Sequence, residues 1–381
     1  MVPDTDRRRF LKTLGAVAGS AALGMSKTGC ATSPPAGTTD RPSHLVRFGH
    51  TDLWVSRLCQ GTAFRSHLSR RGDSKEAHDF LRHCIDVGIN FFDTAEAYGS
   101  GESEIALGHG IAGRRHEVVI STKANPRVDG ERIAVTEPIL RSRVEGSLKR
   151  LGTDYIDLYF LHAADRKTPS FHAEEPGRDA PTRAHMEEIA AAMTALVESG
   201  KIRYWGVSNH LPRQVEELLE SGNQPGTAPL AGLQDYFTIV AGDRRSLMVD
   251  GLFPLIRRGN LGLMAFSPLG GGNLVPGREV PEGSALMDVV TVLDEVAGEL
   301  GVTRPQVCVA WVAAHSEVAS VLSGAEKPEH VEENLKGTQL TLPAPAMDKL
   351  NAAAEGYAVR MIQEQAAFHR FGERSGRPAR A

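Results

Sequence analysis

The fold is decided by Asn90 to Gly108, which reads Asn-Phe-Phe-Asp-Thr-Ala-Glu-Ala-Tyr-Gly-Ser-Gly-Glu-Ser-Glu-Ile-Ala-Leu-Gly. A short apolar, β-prone run ends in Asp93, and the glycines at 99 and 101 predict a turn before a stretch with helical spacing. Asp93 and Tyr98 therefore lie where a strand passes into a loop. In a barrel of alternating strands and helices, catalytic side chains collect at this end of the strands.

Strand and helix signals alternate on both sides of this stretch. Predicted strands cover residues 58–62, 90–92, 118–123, 156–161, 204–208, 232–237, 261–267 and 318–322. Predicted helices cover 74–87, a stretch from 102, 137–151, 185–199, 212–219, 252–257, 285–300, 305–315 and 328–335. Eight strand–helix pairs in about 290 residues predict one α/β domain, a (β/α)8 TIM barrel, rather than an open sheet. The alternation and turn within 44–57 predict an N-terminal β-hairpin.

The first thirty residues have the features of an export signal. Residues 6–12 read Asp-Arg-Arg-Arg-Phe-Leu-Lys, which resembles a twin-arginine motif, and a Gly/Ala-rich apolar region follows at 14–25. The alternative is a basic, disordered N-terminus. We expect recognition by the twin-arginine export machinery and a soluble periplasmic protein. Cys30 leaves a lipid anchor as the less favoured alternative, because Lys27 occupies a position that lipoprotein signals usually fill with an aliphatic residue.

The expected domain organisation follows from these signals. Residues 1–30 form the signal peptide, and 31–42, rich in Pro, Thr and Gly, form a linker. Residues 43–355 form the barrel, and 356–381 form an arginine-rich C-terminal tail that we expect to be a solvated, frayed end.

Composition and short motifs exclude several function classes. The 381 residues carry a formal charge of −4, and the basic first thirty residues leave about −7 on the remainder, so no nucleic-acid partner is expected. The body has no apolar run near the roughly 20 residues of a spanning helix, so stable membrane insertion is not expected. Cys59, Cys84 and Cys308 lie in separate apolar contexts and predict small buried side chains, without a disulfide framework or metal site. No GxGxxG motif supports a Rossmann domain.

Four ionisable side chains fall at the ends of neighbouring predicted strands. Asp93 and Tyr98 follow the second strand, Lys123 ends the third and His162 follows the fourth. Each alone has an ordinary structural explanation, but together at one end of the strands they predict an active site.

The chemistry of such a site follows from the residue types. A phenol has a reference pKa of about 10, and a nearby ammonium favours its deprotonated form. Lys123, paired with Asp93, would therefore help Tyr98 exchange a proton with a substrate oxygen. His162 would orient that oxygen and could share the proton path. The missing component is a hydride donor, since no side chain supplies one.

These segments resemble the aldo-keto reductase superfamily. The matching runs are Phe-Asp-Thr-Ala-Glu-Ala-Tyr-Gly at 92–99, Ser-Thr-Lys-Ala at 121–124, Ser-Leu-Lys-Arg-Leu-Gly-Thr-Asp-Tyr-Ile-Asp-Leu-Tyr-Phe-Leu-His at 147–162 and Gly-Lys-Ile-Arg-Tyr-Trp-Gly-Val-Ser-Asn at 200–209. The resemblance covers about residues 45–355 and implies a (β/α)8 barrel with a catalytic tetrad. The implied tetrad is Asp93, Tyr98, Lys123 and His162. NADP(H) is implied as the cofactor, with NAD(H) not excluded.

The resemblance also implies residues along the strand ends that bind the cofactor. Ser208, Asn209 and Gln234 match positions that hold the nicotinamide carboxamide, and Phe266 matches the ring on which nicotinamide stacks. The implied set is Gly61, Thr62, Asp93, Ser208, Asn209, Gln234, Phe266, Ser267, Leu269, Gly271, Ser323, Gly324, Lys327, His330, Glu333 and Asn334.

Within that set, the loop at 267–271 would cover the pyrophosphate. In the segment 323–334, Lys327 would meet a 2′-phosphate, and Glu333 and Asn334 would meet the adenine. The free N–H groups at the start of the following helix also suit a phosphate. A simple capped helix is the structural alternative there. Glu326 weakens the local positive charge, so NADP over NAD is a preference.

Function follows as an expectation. We expect reduction of an aldehyde or ketone to an alcohol, or the reverse, with Tyr98 as general acid/base. Phe64, Tyr98, His162 and the loop at 163–183 would line the substrate pocket. The alternatives are a nicotinamide-binding sensing or regulatory barrel with little turnover, and a non-redox barrel such as a hydrolase or aldolase. The tetrad disfavours the first, and the implied nicotinamide positions disfavour the second.

Overall fold

The computed structural model describes residues 45–64, 74–125, 127–128, 131–132, 135–163 and 183–375. The predicted signal segment, the linker and most of the predicted pocket loop at 163–183 lie outside these residues.

Eight parallel strands close into a barrel, which confirms the predicted (β/α)8 fold. The hairpin before it has two antiparallel strands, β1 (Leu45–Arg47) and β2 (Trp54–Ser56), as predicted. In chain order the other strands are β3 (Leu58–Gly61), β4 (Phe91–Asp93), β5 (Val119–Ala124), the short antiparallel pair β6 (Arg127–Val128) and β7 (Glu131–Arg132), β8 (Ile156–Leu161), β9 (Ile202–Ser208), β10 (Gly232–Tyr236), β11 (Gly262–Phe266) and β12 (Val318–Ser323). The barrel consists of β3, β4, β5, β8, β9, β10, β11 and β12, and it closes by pairing of β12 with β3.

Helices surround the barrel. They are α1 (Lys75–Asp86), α2 (Glu102–Gly110), α3 (Glu137–Leu151), α4 (Arg183–Glu198), α5 (Pro212–Gly222), α6 (Arg244–Ser246), α7 (Phe253–Gly259), α8 (Ala285–Leu300), α9 (Arg304–Ala313), α10 (Pro328–Gln339) and α11 (Ala344–Ser375). A π-helical stretch, Leu247–Leu252, joins α6 to α7. The predicted N-cap Ser74 accepts a hydrogen bond from the backbone N–H of Ala77 at 3.2 Å.

The core has two layers. The larger layer packs the outward side chains of the strands against the helices. The smaller fills the barrel interior, and it includes Cys59, Phe91, Phe160 and Met264. Cys59, Cys84 and Cys308 are free and buried, which confirms the predicted small buried side chains. Within the described residues, no helix is both long and apolar enough to cross a membrane.

The hairpin closes the amino-terminal mouth of the barrel. Phe48 follows β1, is fully buried and contacts Phe91 edge-on with ring centroids 5.8 Å apart. Its ring lies on the first residues of β10 and β11. A Cβ on Gly232 or Gly262 would come within 2.5 or 2.4 Å of the ring, so both positions require glycine. With this end filled, the carboxyl ends of the strands remain for a site.

The last helix crosses the boundary that we expected at residue 355. α11 continues through it to Ser375. Leu350 and Ala354 are buried, and Arg360 binds Asp288 at 2.6 Å. The start of the predicted tail is therefore part of a helix that packs on the barrel domain.

Candidate active site

The barrel register brings the predicted site residues to one end. Asp93 ends β4 and pairs with Gly61 on one side and Ser121 on the other. Gln234 on β10 pairs with Ser208 at the end of β9. Because all strands are parallel, their carboxyl ends meet at this end of the barrel.

Asp93, Lys123 and Tyr98 form one hydrogen-bonded group. The Nζ of Lys123 donates to Oδ2 of Asp93 at 2.6 Å, to the carbonyl of Thr94 at 2.8 Å and to the hydroxyl of Tyr98 at 3.1 Å. Lys123 is fully buried and Asp93 is 1% exposed, whereas Tyr98 is half-buried. The phenolic oxygen is therefore the part of this group that a substrate can reach.

The buried charges are compensated. Oδ1 of Asp93 accepts from Ser121 Oγ at 2.6 Å and from Gln234 Nε2 at 2.8 Å. Burial alone would lower the pKa of Lys123, but the charges of Asp93 and Tyr98 and their hydrogen bonds outweigh it, so the pKa lies above its usual value. Lys123 is thus a permanent cation beside the phenol.

His162 lies beside Tyr98 at the end of β8. The two rings meet edge-on with centroids 5.6 Å apart. Its backbone N–H donates to the carbonyl of Ala124 at 2.9 Å, and its carbonyl accepts from Asn209 Nδ2 at 3.1 Å. Burial, with a smaller effect from Lys123, lowers the pKa of His162 to about 3. The imidazole is therefore neutral near pH 7 and suits hydrogen bonding rather than proton supply.

The expected nicotinamide end combines amide groups with strained backbone. Asn209 Nδ2 also donates to Ser208 Oγ at 2.9 Å. Asn209 and Ser267 have left-handed φ values of 57° and 61°. Ser100, in the turn after Tyr98, has a φ of 56°. These are three of the four non-glycine residues with left-handed φ in the described ranges. Such strain is costly and clusters at functional sites.

Phe266 and the loop after it border the same end. Phe266 is half-buried and contacts Tyr236 edge-on at 5.7 Å between centroids. The loop continues through the half-buried Leu269 into three glycines, Gly270 to Gly272, with φ values of 59°, 67° and 98°. A Cβ on Gly271 would meet nothing within 4 Å. The loop backbone is therefore open enough for a close ligand such as a phosphate.

The expected adenosine segment follows β12. Ser323 Oγ accepts from Asn334 Nδ2 at 2.8 Å, and Oδ1 of the buried Asn334 has no hydrogen-bond partner within the described part of the chain. Gly324, Lys327 and His330 are exposed and Glu333 is half-buried. A buried amide oxygen without a partner is expensive, so this position suits a ligand that donates a hydrogen bond.

Three other predicted positions have structural partners. Thr62 donates to the carbonyl of Asp93 through its backbone N–H at 2.9 Å and its hydroxyl at 3.2 Å. A Cβ on Gly61 would come within 3.2 Å of Leu322. Phe64 is half-buried and contacts Phe80 of α1 edge-on at 6.0 Å between centroids. Part of its ring is therefore used in packing.

Sequence reasoning missed one residue that bonds Asp93 and one buried carboxyl group beside Gln234. Ser121 lies two positions before Lys123, so strand alternation could have placed both on the inner face. Asp235, beside Gln234, is 6% exposed. Burial raises its pKa to about 7, opposed by Arg244 and by backbone N–H groups of Tyr236 and Asn209. No periodicity signal distinguishes it from an ordinary strand-end carboxylate.

The chain matches a family of known proteins. The aldo/keto reductase family model matches residues 57–355. A probable voltage-gated potassium channel subunit beta from Oryza sativa subsp. japonica is 29% identical over 81% of this chain and 95% of its own length.

Two solved structures of aldo-keto reductases are also similar to this chain. A thermostable aldo-keto reductase in complex with the inhibitor epalrestat matches with a TM-score of 0.65 and 28% identity, over 81% of this chain and 99% of its own. The holo form of an aldo-keto reductase from Bacillus halodurans matches with a TM-score of 0.64 and 25% identity, over 81% and 95%. Barrel, strand-end group and family match together show that the chain belongs to the aldo/keto reductase family of oxidoreductases.

Proposed function

We propose that this protein is an NADP(H)-dependent oxidoreductase that reduces an aldehyde or ketone to an alcohol, or catalyses the reverse, with Tyr98 as general acid/base. The observation that carries the proposal is the contact of 3.1 Å between the buried ammonium of Lys123 and the hydroxyl of Tyr98. A cation at that distance stabilises the phenolate that remains when Tyr98 gives up its proton.

The roles of the side chains follow from their positions. Tyr98 donates its phenolic proton to the developing alkoxide in reduction and accepts a proton from the alcohol in oxidation. His162, neutral near pH 7, orients the substrate oxygen by a hydrogen bond. Asp93 keeps Lys123 charged, and Ser121 and Gln234 satisfy Asp93. A bound dihydronicotinamide would supply the hydride that no side chain can supply.

The residues present suit a dinucleotide. The unpartnered oxygen of Asn334 can accept from an adenine amino group, and the glycine loop after Phe266 leaves room for phosphates. Asn209 and Gln234 offer amide groups for the carboxamide. Exposed Lys327 favours a 2′-phosphate and hence NADP, although Glu326 reduces the preference.

The test is a panel of aldehydes and ketones assayed for NADPH oxidation, with 4-deuterated NADPH of each configuration used separately. We expect at least one carbonyl to be reduced and deuterium to appear on the carbinol carbon. Tight NADPH binding with no turnover of any carbonyl would contradict this function.

A second candidate is a nicotinamide-binding regulatory barrel with little turnover. The observation that favours it is the similarity to a protein named as a probable channel subunit beta. The buried group around Asp93, Lys123 and Tyr98 argues for turnover, because a binding module does not need an activated phenol. The outcome of the carbonyl panel separates the two candidates.

We also propose that the protein is exported to the periplasm by the twin-arginine route. The support is the run Asp6 to Lys12 and the apolar region after it. Because this route moves folded proteins, the cofactor would be bound before export. Replacing Arg7 and Arg8 by lysine should retain the protein in the cytoplasm. Mass spectrometry of the periplasmic protein should find a nucleotide, and an empty protein would contradict loading before export.

A further inference from the structure

A carboxylate outside the tetrad connects the turn that carries Tyr98 to the strand that carries Lys123. Glu96 lies two residues before Tyr98, and its Oε1 accepts a hydrogen bond from the backbone N–H of Asn125 at 2.6 Å. Asn125 follows β5, two residues after Lys123. The Glu96 side chain is 13% exposed, so little water competes for this bond. The connection therefore lies directly beside the phenol of Tyr98 and the ammonium of Lys123.

Two arginines of α3 hold Glu96 from the outer side. Arg143 Nη1 lies 2.5 Å from Oε1, and Arg150 Nη2 lies 4.0 Å from Oε2. Seven residues span about two helical turns, so both arginines lie on the same face of α3. Both are partly shielded from water, with side chains 19% and 28% exposed. Together they fix the carboxylate in the orientation that reaches Asn125.

A second carboxylate makes a parallel connection. Glu104 on α2 is fully buried. Its Oε1 accepts from Thr122 Oγ1 at 2.6 Å, and its Oε2 accepts from Arg150 Nε at 2.6 Å. Thr122 is the residue before Lys123. The segment that includes Tyr98 is therefore attached to β5 on both sides of Lys123, with Arg150 near both carboxylates.

The turn needs such attachment because its own backbone is irregular. Gly99, Ser100 and Gly101 all have left-handed φ values, of 56°, 56° and 96°. Tyr98 itself is half-buried, so packing alone surrounds only part of its ring. Small changes in this turn would alter the 3.1 Å contact with Lys123 directly.

We propose that Glu96 is a positioning residue whose carboxylate, held by Arg143, connects the turn of Tyr98 to the end of β5 and thereby sets the distance between the phenol and the ammonium of Lys123. The effect of Glu96 on turnover rests on the proposed function. Its effect on the titration of Tyr98 in the cofactor-free protein does not.

The kinetic test compares Glu96→Ala and Glu96→Gln with wild type and with Glu137→Ala. Glu137 is a matched control, since its carboxylate also pairs with an arginine of α3, but that partner, Arg141, lies one turn along the same helix. We expect Glu96→Ala to lower kcat by about 10- to 100-fold, as small misplacements of reacting groups do. Glu96→Gln keeps an acceptor for the Asn125 N–H and should recover part of the loss. Glu137→Ala should match wild type.

A pH profile separates positioning from general damage. The charged and titratable groups facing the phenol are Lys123, Asp93 and His162. With the ammonium farther away, the phenolate is less stabilised, so the alkaline limb of kcat should move to higher pH in Glu96→Ala. The KM for NADPH should stay within about twofold of wild type, because Glu96 is not among the expected cofactor contacts. The proposal would be overturned if the alkaline limb of kcat stayed at the wild-type pH. It would also be overturned if a rise in the KM for NADPH accounted for the whole loss of activity.

A titration of the cofactor-free protein gives a readout that does not need turnover. The tyrosinate absorbance of each protein is measured against pH, and the contribution of Tyr98 is obtained by difference from its Tyr98→Phe counterpart. We expect this contribution to appear at higher pH in Glu96→Ala than in wild type. If no carbonyl is reduced, the shift still supports the positioning role; if the titration is unchanged, the role is wrong even when turnover is found. Should Glu96→Ala fail to fold, Glu96→Gln must show a smaller shift in the same direction, and no shift overturns the proposal.

Discussion

Replacing Lys123 by methionine removes the cation beside Tyr98 and keeps an unbranched side chain. The ammonium is 3.1 Å from the phenolic oxygen and 2.6 Å from Asp93. At an effective dielectric constant of about 20, unit charges 3.1 Å apart attract each other by about 5 kcal/mol. Asp93 opposes part of this attraction, and the transition state carries only part of the phenolate charge. A loss of about 2 to 4 kcal/mol remains, which corresponds to about 30- to 1,000-fold in kcat.

The assay must separate a lower kcat from a loss of folding stability. Lys123→Met leaves Asp93 buried without its cation, and breaking a buried pair typically costs about 3 to 5 kcal/mol of stability. The matched control is the double variant Asp93→Asn/Lys123→Met, which removes the unpaired charge. We expect the double variant to unfold in urea closer to wild type than the single variant does, yet to reduce carbonyls as poorly. Wild-type kcat at neutral pH in either variant would refute the role of the ammonium.

Three further predictions concern pH and packing. The depressed pKa of His162, about 3, means that the unfolded chain binds a proton below about pH 6.5 when the native protein does not, so stability falls as pH drops through that window. His162→Gln should flatten this fall in thermal melts between pH 7 and pH 5, and an unchanged slope would contradict it. The raised pKa of Asp235, about 7, has the opposite effect on stability. The native carboxyl keeps its proton to higher pH than the unfolded one does, so stability falls as pH rises from about 4 to 7. Asp235→Asn should be more stable than wild type in urea at pH 8, by on the order of a few kcal/mol, and equal midpoints there would argue against it. Gly108→Ala would place a Cβ 2.6 Å from a carbonyl oxygen at the end of α3 and should cost about 1 to 3 kcal/mol of unfolding free energy, whereas the matched Gly298→Ala, with open space around it, should not destabilise.

Much of the architecture can be predicted from local pattern. Buried strands of a parallel barrel are continuous apolar runs between turns, and the sequence predicts strand 156–161 with the bounds that the structure has. Helical spacing likewise predicts helix 137–151 with its observed bounds. The end of each strand is then known, and with it the positions of Asp93, Lys123 and His162. Alternation within β5 also places Lys123 on one face with Ser121.

Contacts between distant segments could not be predicted in this way. Gln234 donates to Asp93 across 141 positions of the chain, and no periodicity shows that pairing. The bond from Asn125 to Glu96 depends on a turn whose backbone is irregular. The helix beyond residue 355 was missed because its support comes from tertiary packing, such as the pair of Arg360 with Asp288.

The central claim is that the hydroxyl of Tyr98 carries the proton, and Tyr98→Phe tests it most directly, because the substitution removes that oxygen alone. NADPH affinity is measured by fluorescence titration and kcat by carbonyl reduction, with Tyr204→Phe as a control whose lost hydroxyl bonds Asp52 at the other end of the barrel. We predict an unchanged Kd for NADPH, a kcat lower by about 100- to 10,000-fold in Tyr98→Phe, and wild-type kcat in the control. Wild-type kcat in Tyr98→Phe would contradict the account.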